Sequence, residues 1–211
     1  MRLNYISAPA AVAGYGRLYN GYAIMDSRNI APAGWHVPTN DQWATLLLTL
    51  ITNIGGKLKE TGYLHWLDPN TGATNEVGMN CMGAGFRLQG YDFGRLRAEC
   101  WAWSSTWDAG YNQTRVITFN SASVVVGNLV YNSGGTLRLI KDNSTNTGTM
   151  TGNDLTVYNT VKIGDQVWMA ENSKETKYRD GTTIPEVKDY AAWIALTTGA
   201  WCYPNNNAGN L

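Results

Sequence analysis

An α+β fold of short antiparallel strands with two helices is what these 211 residues predict, and three observations predict it. One amphipathic helix begins near residue 40. Extended runs bounded by Gly, Asn, Asp or Ser crowd the stretch after residue 84, and a second strand pair with a short helix lies beyond residue 155. A fold of this length buries roughly 70% of its unfolded surface, so a sizeable core is available.

In chain order, residues 1–13 read as an N-terminal arm whose small residues and single Arg lack the apolar run of a signal peptide. No later segment is long enough to span a bilayer, and the expectation is a soluble chain made without a secretion signal. "GWHVPTNDQW" at 34–43 is a loop delivering a helix: Trp43, Leu46, Leu47, Leu50, Ile51 and Ile54 fall on one helical stripe. Thr39 and Gln42 have the spacing of a capping box, Gly55-Gly56 reads as the stop, and Trp35 and Trp43 read as core residues. From residue 84, "GFRLQGYDFG", "CWAWSST", "TRVITFN", "SASVVVGNLVYN" and "GTLRLIKD" read as strands. Asn132 to Gly135 reads as a hairpin turn, and Gly127-Asn128 as a bulge or an earlier turn. The polar stretch 143–154 reads as a linker between a main part, 14–142, and a terminal segment, 155–211. That segment contains two strands around Gly164-Asp165, a short helix that Asp189 can cap, and a loop-like tail.

Composition removes several function classes. Lys+Arg and Asp+Glu are both 16, so no net field draws nucleic acid or an anionic membrane. The three cysteines, Cys81, Cys100 and Cys202, have no metal-type spacing, and an odd number cannot all pair within one chain. His36 and His65 are the only histidines, too few for a histidine-rich metal site. Nine Trp and twelve Tyr against three Phe favour rings with a polar handle, which serve interfaces as well as cores.

"YGRLYNGYA", "GWHVPTNDQW", "GGKLKETGYLHW", "NTGATNEVG", "WSST", "LRLIKD", "VKIGDQVWMAENSKETKYRDGTTIPEV" and "AWIALTTGAWC", taken together, resemble the Fibrobacter succinogenes major paralogous domain family. The resemblance covers most of the chain and implies a variant of the C-type lectin fold. In the family the "VKIGDQVWMAEN" segment precedes "YGRLYN"; here it follows, so the chain resembles a circular permutant. Residues 155–211 then complete the domain either in cis or in a neighbouring copy. Relatives often carry cysteines where this chain has Ala31 and Leu139, and their joint replacement points to assembly in a reducing compartment. Gly21 stands where the family usually has Trp, which opens space for a neighbouring chain.

For chemistry, Ser104-Ser105, His36, His65 and scattered carboxylates form no nucleophile motif, and "WSST" reads as a strand end with Trp103 inward and its hydroxyls on backbone. The related fold of formylglycine-generating enzymes raises a cysteine oxidase as an alternative, but Cys100 reads as a buried, inert thiol. The calcium-site tripeptides of lectins do not occur, and "DPNTG" at 68–72 reads as a turn. No catalytic residue, metal or cofactor is therefore assigned. Loop residues Tyr91, Asp92, Phe93, Arg95, Arg97, Trp107, Asp108, Tyr111 and Asn112 have the composition of a recognition surface, with Arg95 and Arg97 on one face if that segment is extended. The expectation is a non-enzymatic binding or structural protein on a phage virion, as fibre, receptor-binding or capsid-decoration component. It would be a homo-oligomer, with other virion proteins or a host-surface protein or glycan as partner, and without nucleic acid or membrane insertion. A bacterial surface or secreted adhesion module is the second expectation.

Overall fold

The structure, a computed structural model, describes residues 14–143 and 146–210. The arm expected over 1–13 lies outside the described residues. Strand β1 (Leu18–Asn20) turns at once into helix α1 (Gly21–Met25), because the Asn20 side chain accepts the Ala23 N–H at 3.0 Å and caps it. After β2 (Trp35–His36) comes α2 (Asn40–Leu50). Its capping box is formed: Gln42 N–H donates to the Thr39 hydroxyl at 3.2 Å, and Thr39 N–H donates to Gln42 Oε1 at 2.8 Å. Trp43, Leu46 and Leu50 face the core, whereas Ile51, expected on the same stripe, ends the helix with φ +62° and points outward. Gly55 and Gly56 are not the stop. They lie inside a separate helix, α3 (Ile54–Leu58), where a Cβ on Gly55 would come within 2.5 Å of the Ser123 carbonyl oxygen and one on Gly56 would overlap that of Gly72. Close backbone approach, not termination, requires glycine there.

The middle of the chain is made of β3 (Phe86–Leu88), β4 (Tyr91–Gly94), β5 (Glu99–Ala102), β6 (Trp107–Asp108), β7 (Tyr111–Thr118), β8 (Val124–Leu129), β9 (Gly134–Gly135) and β10 (Ile140–Lys141). Two expectations fail in it. The register of β8 on β7 runs unbroken from Asn112↔Leu129 to Ile117↔Val124, so Gly127-Asn128 is neither bulge nor turn. Gly134-Gly135 is not a hairpin turn; it forms β9, hydrogen-bonded between β1 and β3 and crowded by Trp193 and Trp103. Turn propensity and close packing both select glycine, and the local sequence does not separate them.

The stretch 143–154, expected as a linker, contains strand β11 (Thr149–Thr151), whose Met150 is 2% exposed in the main core. It pairs with β12 (Val157–Ile163), Thr149 facing Asn159, Met150 facing Tyr158 and Thr151 facing Val157. β12 and β13 (Gln166–Met169) form the expected hairpin around Gly164-Asp165. Asp189 caps α4 (Tyr190–Ile194), accepting the Ala192 N–H at 2.7 Å, and β14 (Trp201–Cys202) follows. The described residues thus contain four short α-helices where two were expected.

The strands make three antiparallel sheets, in the orders β14-β1-β9-β3-β4, β11-β12-β13-β10-β2, and β5-β7-β6 with β8 on β7. The first two sheets are built from both ends of the sequence: Leu18 pairs with Cys202, Tyr19 with Trp201, and Ile140 with Trp168. The result is a sheet-rich α+β architecture in which the terminal segment packs on the body of the same chain.

Buried polar groups fasten that seam. Arg138 is 1% exposed and donates to Asn172 Oδ1 at 2.8 Å, to the Met169 and Asn80 carbonyls, and to the Met79 carbonyl. Arg87, fully buried, donates to the Val187 and Lys188 carbonyls at 2.8 and 2.6 Å. Arg17 reaches the Lys174 carbonyl and lies 4.3 Å from the Trp201 ring centre. The Arg138 and Arg87 guanidiniums each satisfy several carbonyls at once, which offsets much of the cost of burying their charge.

Candidate recognition surface

The first group of expected site residues lies around the β3–β4 hairpin. Tyr91 is the first residue of β4. Asp92 Oδ1 accepts from Arg87 Nε at 2.8 Å, and the Phe93 ring lies 4.7 Å from the same guanidinium, opposite Trp193 at the same distance. Asp92 and Phe93 therefore complete the clamp on Arg87. Arg95 and Arg97 do not share a face, because the segment is not extended: both have φ +63°, and the chain turns from Arg95 to Ala98. Arg95 points to solvent and meets Glu99 at 3.5 Å, while Arg97 donates to the Tyr63 and Trp66 carbonyls at 2.5 and 3.2 Å.

The second group lies on another sheet, at the β6–β7 hairpin, with Trp107 opposite Asn112 and Asp108 opposite Tyr111. Ala109 and Gly110, both with positive φ, make the tight turn between them. Asn112 is fully buried; its amide donates to the Ser104 and Thr106 carbonyls and accepts the Ser104 N–H, so it builds the loop and touches no solvent. Asp108 and Tyr111 are exposed. Trp107 is half-buried and stacks on Tyr131 with ring centres 3.8 Å apart and planes at 10°. Tyr22 also stacks on Tyr131, with ring centres 5.0 Å apart, and the buried Trp103 ring lies 6.2 Å from that of Trp107.

This ladder of rings corrects the reading of Gly21. A Cβ at Gly21 would sit 2.8 Å from the Trp107 ring and 3.0 Å from Tyr131 Cα. The space left by the family's tryptophan is filled by Trp107 of the same chain and is not open to a neighbour. Tyr22 and Tyr131 were missed as site residues. Their approach depends on the Gly21 N–H donating to the Tyr131 carbonyl at 2.7 Å, a contact spanning 110 positions of sequence.

The histidines and cysteines lie elsewhere. His36 is held between Asp142 and Gln42, and the buried His65 bonds Glu60 at 2.6 Å. Ser104 Oγ bonds the Thr106 backbone. Cys81 and Cys100 touch each other, a pairing the sequence reading missed; both are buried and no disulfide is formed. The neighbouring Cys81 side chain and burial hold the Cys100 thiol well above its usual range, and burial pushes Cys202 up to about 12. Among the described residues, no three His, Cys, Asp or Glu side chains converge as a metal site, and no helix is long and apolar enough to cross a membrane.

Fold and surface together define a sheet-rich α+β domain that presents aromatic and polar loop residues on a framework closed by both chain ends. The family model of the Fibrobacter succinogenes major domain matches residues 2–141 and 161–211, and the chain belongs to that family. The match falls in two pieces, which fits a permuted or split arrangement. Comparisons with curated proteins and with solved structures found no match.

Proposed function

We propose that this chain is a non-enzymatic recognition domain with a C-type-lectin-like fold, displayed as a homo-oligomer on a phage particle in a fibre, receptor-binding or capsid-decoration role. The observation that carries the recognition part is the Trp107–Tyr131–Tyr22 stack beside the exposed Asp108–Tyr111 tip. Rigid rings with polar edges provide contact area at low entropic cost, and the tight hairpin holds them in place before any partner arrives. The Trp107 Nε1–H is buried without a hydrogen-bond partner, a donor that a small rearrangement on binding can satisfy. Short antiparallel strands with projecting loops support the lectin-like reading. Three buried, unpaired thiols, together with Ala31 and Leu139 fully buried where relatives often carry cysteine, support assembly in a reducing compartment.

Two measurements test this. Peptide mass spectrometry of purified virions and of host envelope fractions should find the chain in the virion; recovery from the envelope alone replaces this reading with the bacterial surface module. Labelled protein should bind host cells, and Tyr111→Ala with Asp108→Ala should remove that binding while leaving the melting temperature unchanged. Unchanged binding by the double variant would overturn the assignment of the surface.

A further inference from the structure

Away from the aromatic stack, the loops after α2 and α3 enclose an open cleft of about 380 Å³, lined by Asn53, Tyr63, Pro69, Asn70, Gly72 and Thr74 among others. That volume is at the small end of ligand clefts. Its floor is built by hydrogen bonds within the chain. The Asn70 amide nitrogen donates to the Glu60 and Gly62 carbonyls at 2.9 and 2.8 Å, and Asn53 donates to the Gly72 carbonyl at 3.0 Å. Beneath them the fully buried Lys59 ammonium donates to the Thr71, Thr118 and Ser121 carbonyls at 2.8–3.1 Å. The cleft is therefore pre-shaped, and a ligand would not have to order it.

One atom of the floor is left over. Asn70 is 4% exposed, and its Oδ1 accepts no hydrogen bond. A buried carbonyl oxygen without a donor is destabilising, and a ligand hydroxyl that meets it after a small shift of the Asn70 side chain offsets that. The same cleft is lined by the exposed Thr74, by Asn53 and by the exposed Tyr63, whose side chain offers a ring face and a phenol. Among the described residues, no carboxylate, ammonium or guanidinium lines the cleft. An anion or cation would lose its hydration there without gaining an opposite charge. A ligand with many hydroxyl donors and an apolar face for the ring loses least and gains most.

We propose that this cleft binds a neutral polyhydroxylated ligand, a saccharide of one or two rings, with Tyr63 as its platform and Asn70 Oδ1 and Thr74 as its hydrogen-bonding partners. The site is separate from the Trp107 surface, so each assignment stands or falls without the other.

The probes are glucose, galactose, mannose, N-acetylglucosamine and their β-linked dimers, with glucuronic and sialic acids as anionic controls, titrated into the 15N-labelled full chain. At least one neutral sugar should give saturable amide shifts centred on residues 53, 62–63 and 70–74. Tyr63→Ala should weaken that binding about tenfold, and Thr74→Val should weaken it by less. Both sites are exposed, and an unchanged spectrum elsewhere shows that the variants fold. Trp107→Ala should leave the titration intact. Absence of saturable shifts with every neutral sugar overturns the proposal, as does equal binding of the acids or an affinity unchanged by Tyr63→Ala.

Discussion

Arg138 and Arg95 are the same side chain in two regions that use it differently. At the seam between the terminal segment and the body, Arg138 is withdrawn from water and serves three backbone carbonyls and an amide. In the turn before β5, Arg95 has 63% of its side chain exposed and a single distant carboxylate. Arg87 behaves like Arg138, and Arg17 is buried on a single carbonyl, that of Lys174; the tip residues Asp108 and Tyr111 behave like Arg95. The Arg138 and Arg87 guanidiniums hold strands together by meeting carbonyls from a distant part of the chain, whereas Arg95 meets none and is left toward solvent. Residue type alone does not assign the role; the number of backbone acceptors within reach does.

The comparison is broken most severely at the seam. Arg138→Met keeps much of the volume and removes every donor, leaving buried carbonyls from both sides without partners. We expect a loss of about 3 kcal/mol or more in urea unfolding, and a result below about 1 kcal/mol would show that the seam is held by apolar packing alone.

A second test of the seam uses pH. Glu175 is fully buried and accepts the Asn153 and Asp154 N–H groups at 2.8 and 3.3 Å. Burial, with the charge of Asp154, pushes its carboxyl from 4.5 up to about 7. Because the folded value lies above the unfolded one, the stability this group adds is complete below pH 4.5 and is lost as pH rises through 7. That change amounts to up to about 3 kcal/mol. Asp154, held below its usual range by hydrogen bonds from Thr156 and Thr176 against its own desolvation, acts in the opposite sense at lower pH. Chemical denaturation at pH 5 and pH 8 should show the loss, and Glu175→Gln should flatten it.

The aromatic ladder gives an intermediate effect. Gly21→Ala should cost about 2 kcal/mol, because its Cβ meets the Trp107 ring. In a Trp107→Ala background the penalty should fall by about half, and thermal unfolding of the four proteins of the cycle measures the difference. At the exposed end of the scale, Arg95→Ala should change stability by less than about 0.5 kcal/mol in the same urea assay.

What was legible in the sequence was local. The Thr39 and Gln42 cap, the hairpin around Gly164-Asp165 and the Asp189 cap each depend on residues within four positions, so propensity and spacing suffice. The seam was legible only through the family's order of segments, since no local pattern reveals that Leu18 faces Cys202. Asp92 is exposed as expected, but its tie and that of Phe93 to Arg87 were not legible, because Arg87 is buried by carbonyls a hundred residues away. The cleft was missed for a related reason: "DPNTG" was correctly read as a turn, with the Asn70 N–H donating to the Leu67 carbonyl, but which side chains the turn gathers is set by the α3 loop. Two glycines at β9 and a lone methionine in β11 show the remaining limit, for their role is fixed by what packs against them.

The central claim is that residues 157–202 complete the sheets of their own chain. Isotope-filtered NOE spectroscopy on an equal mixture of labelled and unlabelled protein tests it most directly. Contacts between Leu18 and Cys202, Tyr19 and Trp201, and Ile140 and Trp168 should appear in the uniformly labelled sample and be absent from the filtered spectrum of the mixture. Their appearance in the filtered spectrum would mean that a neighbouring copy supplies the strands and would contradict the account.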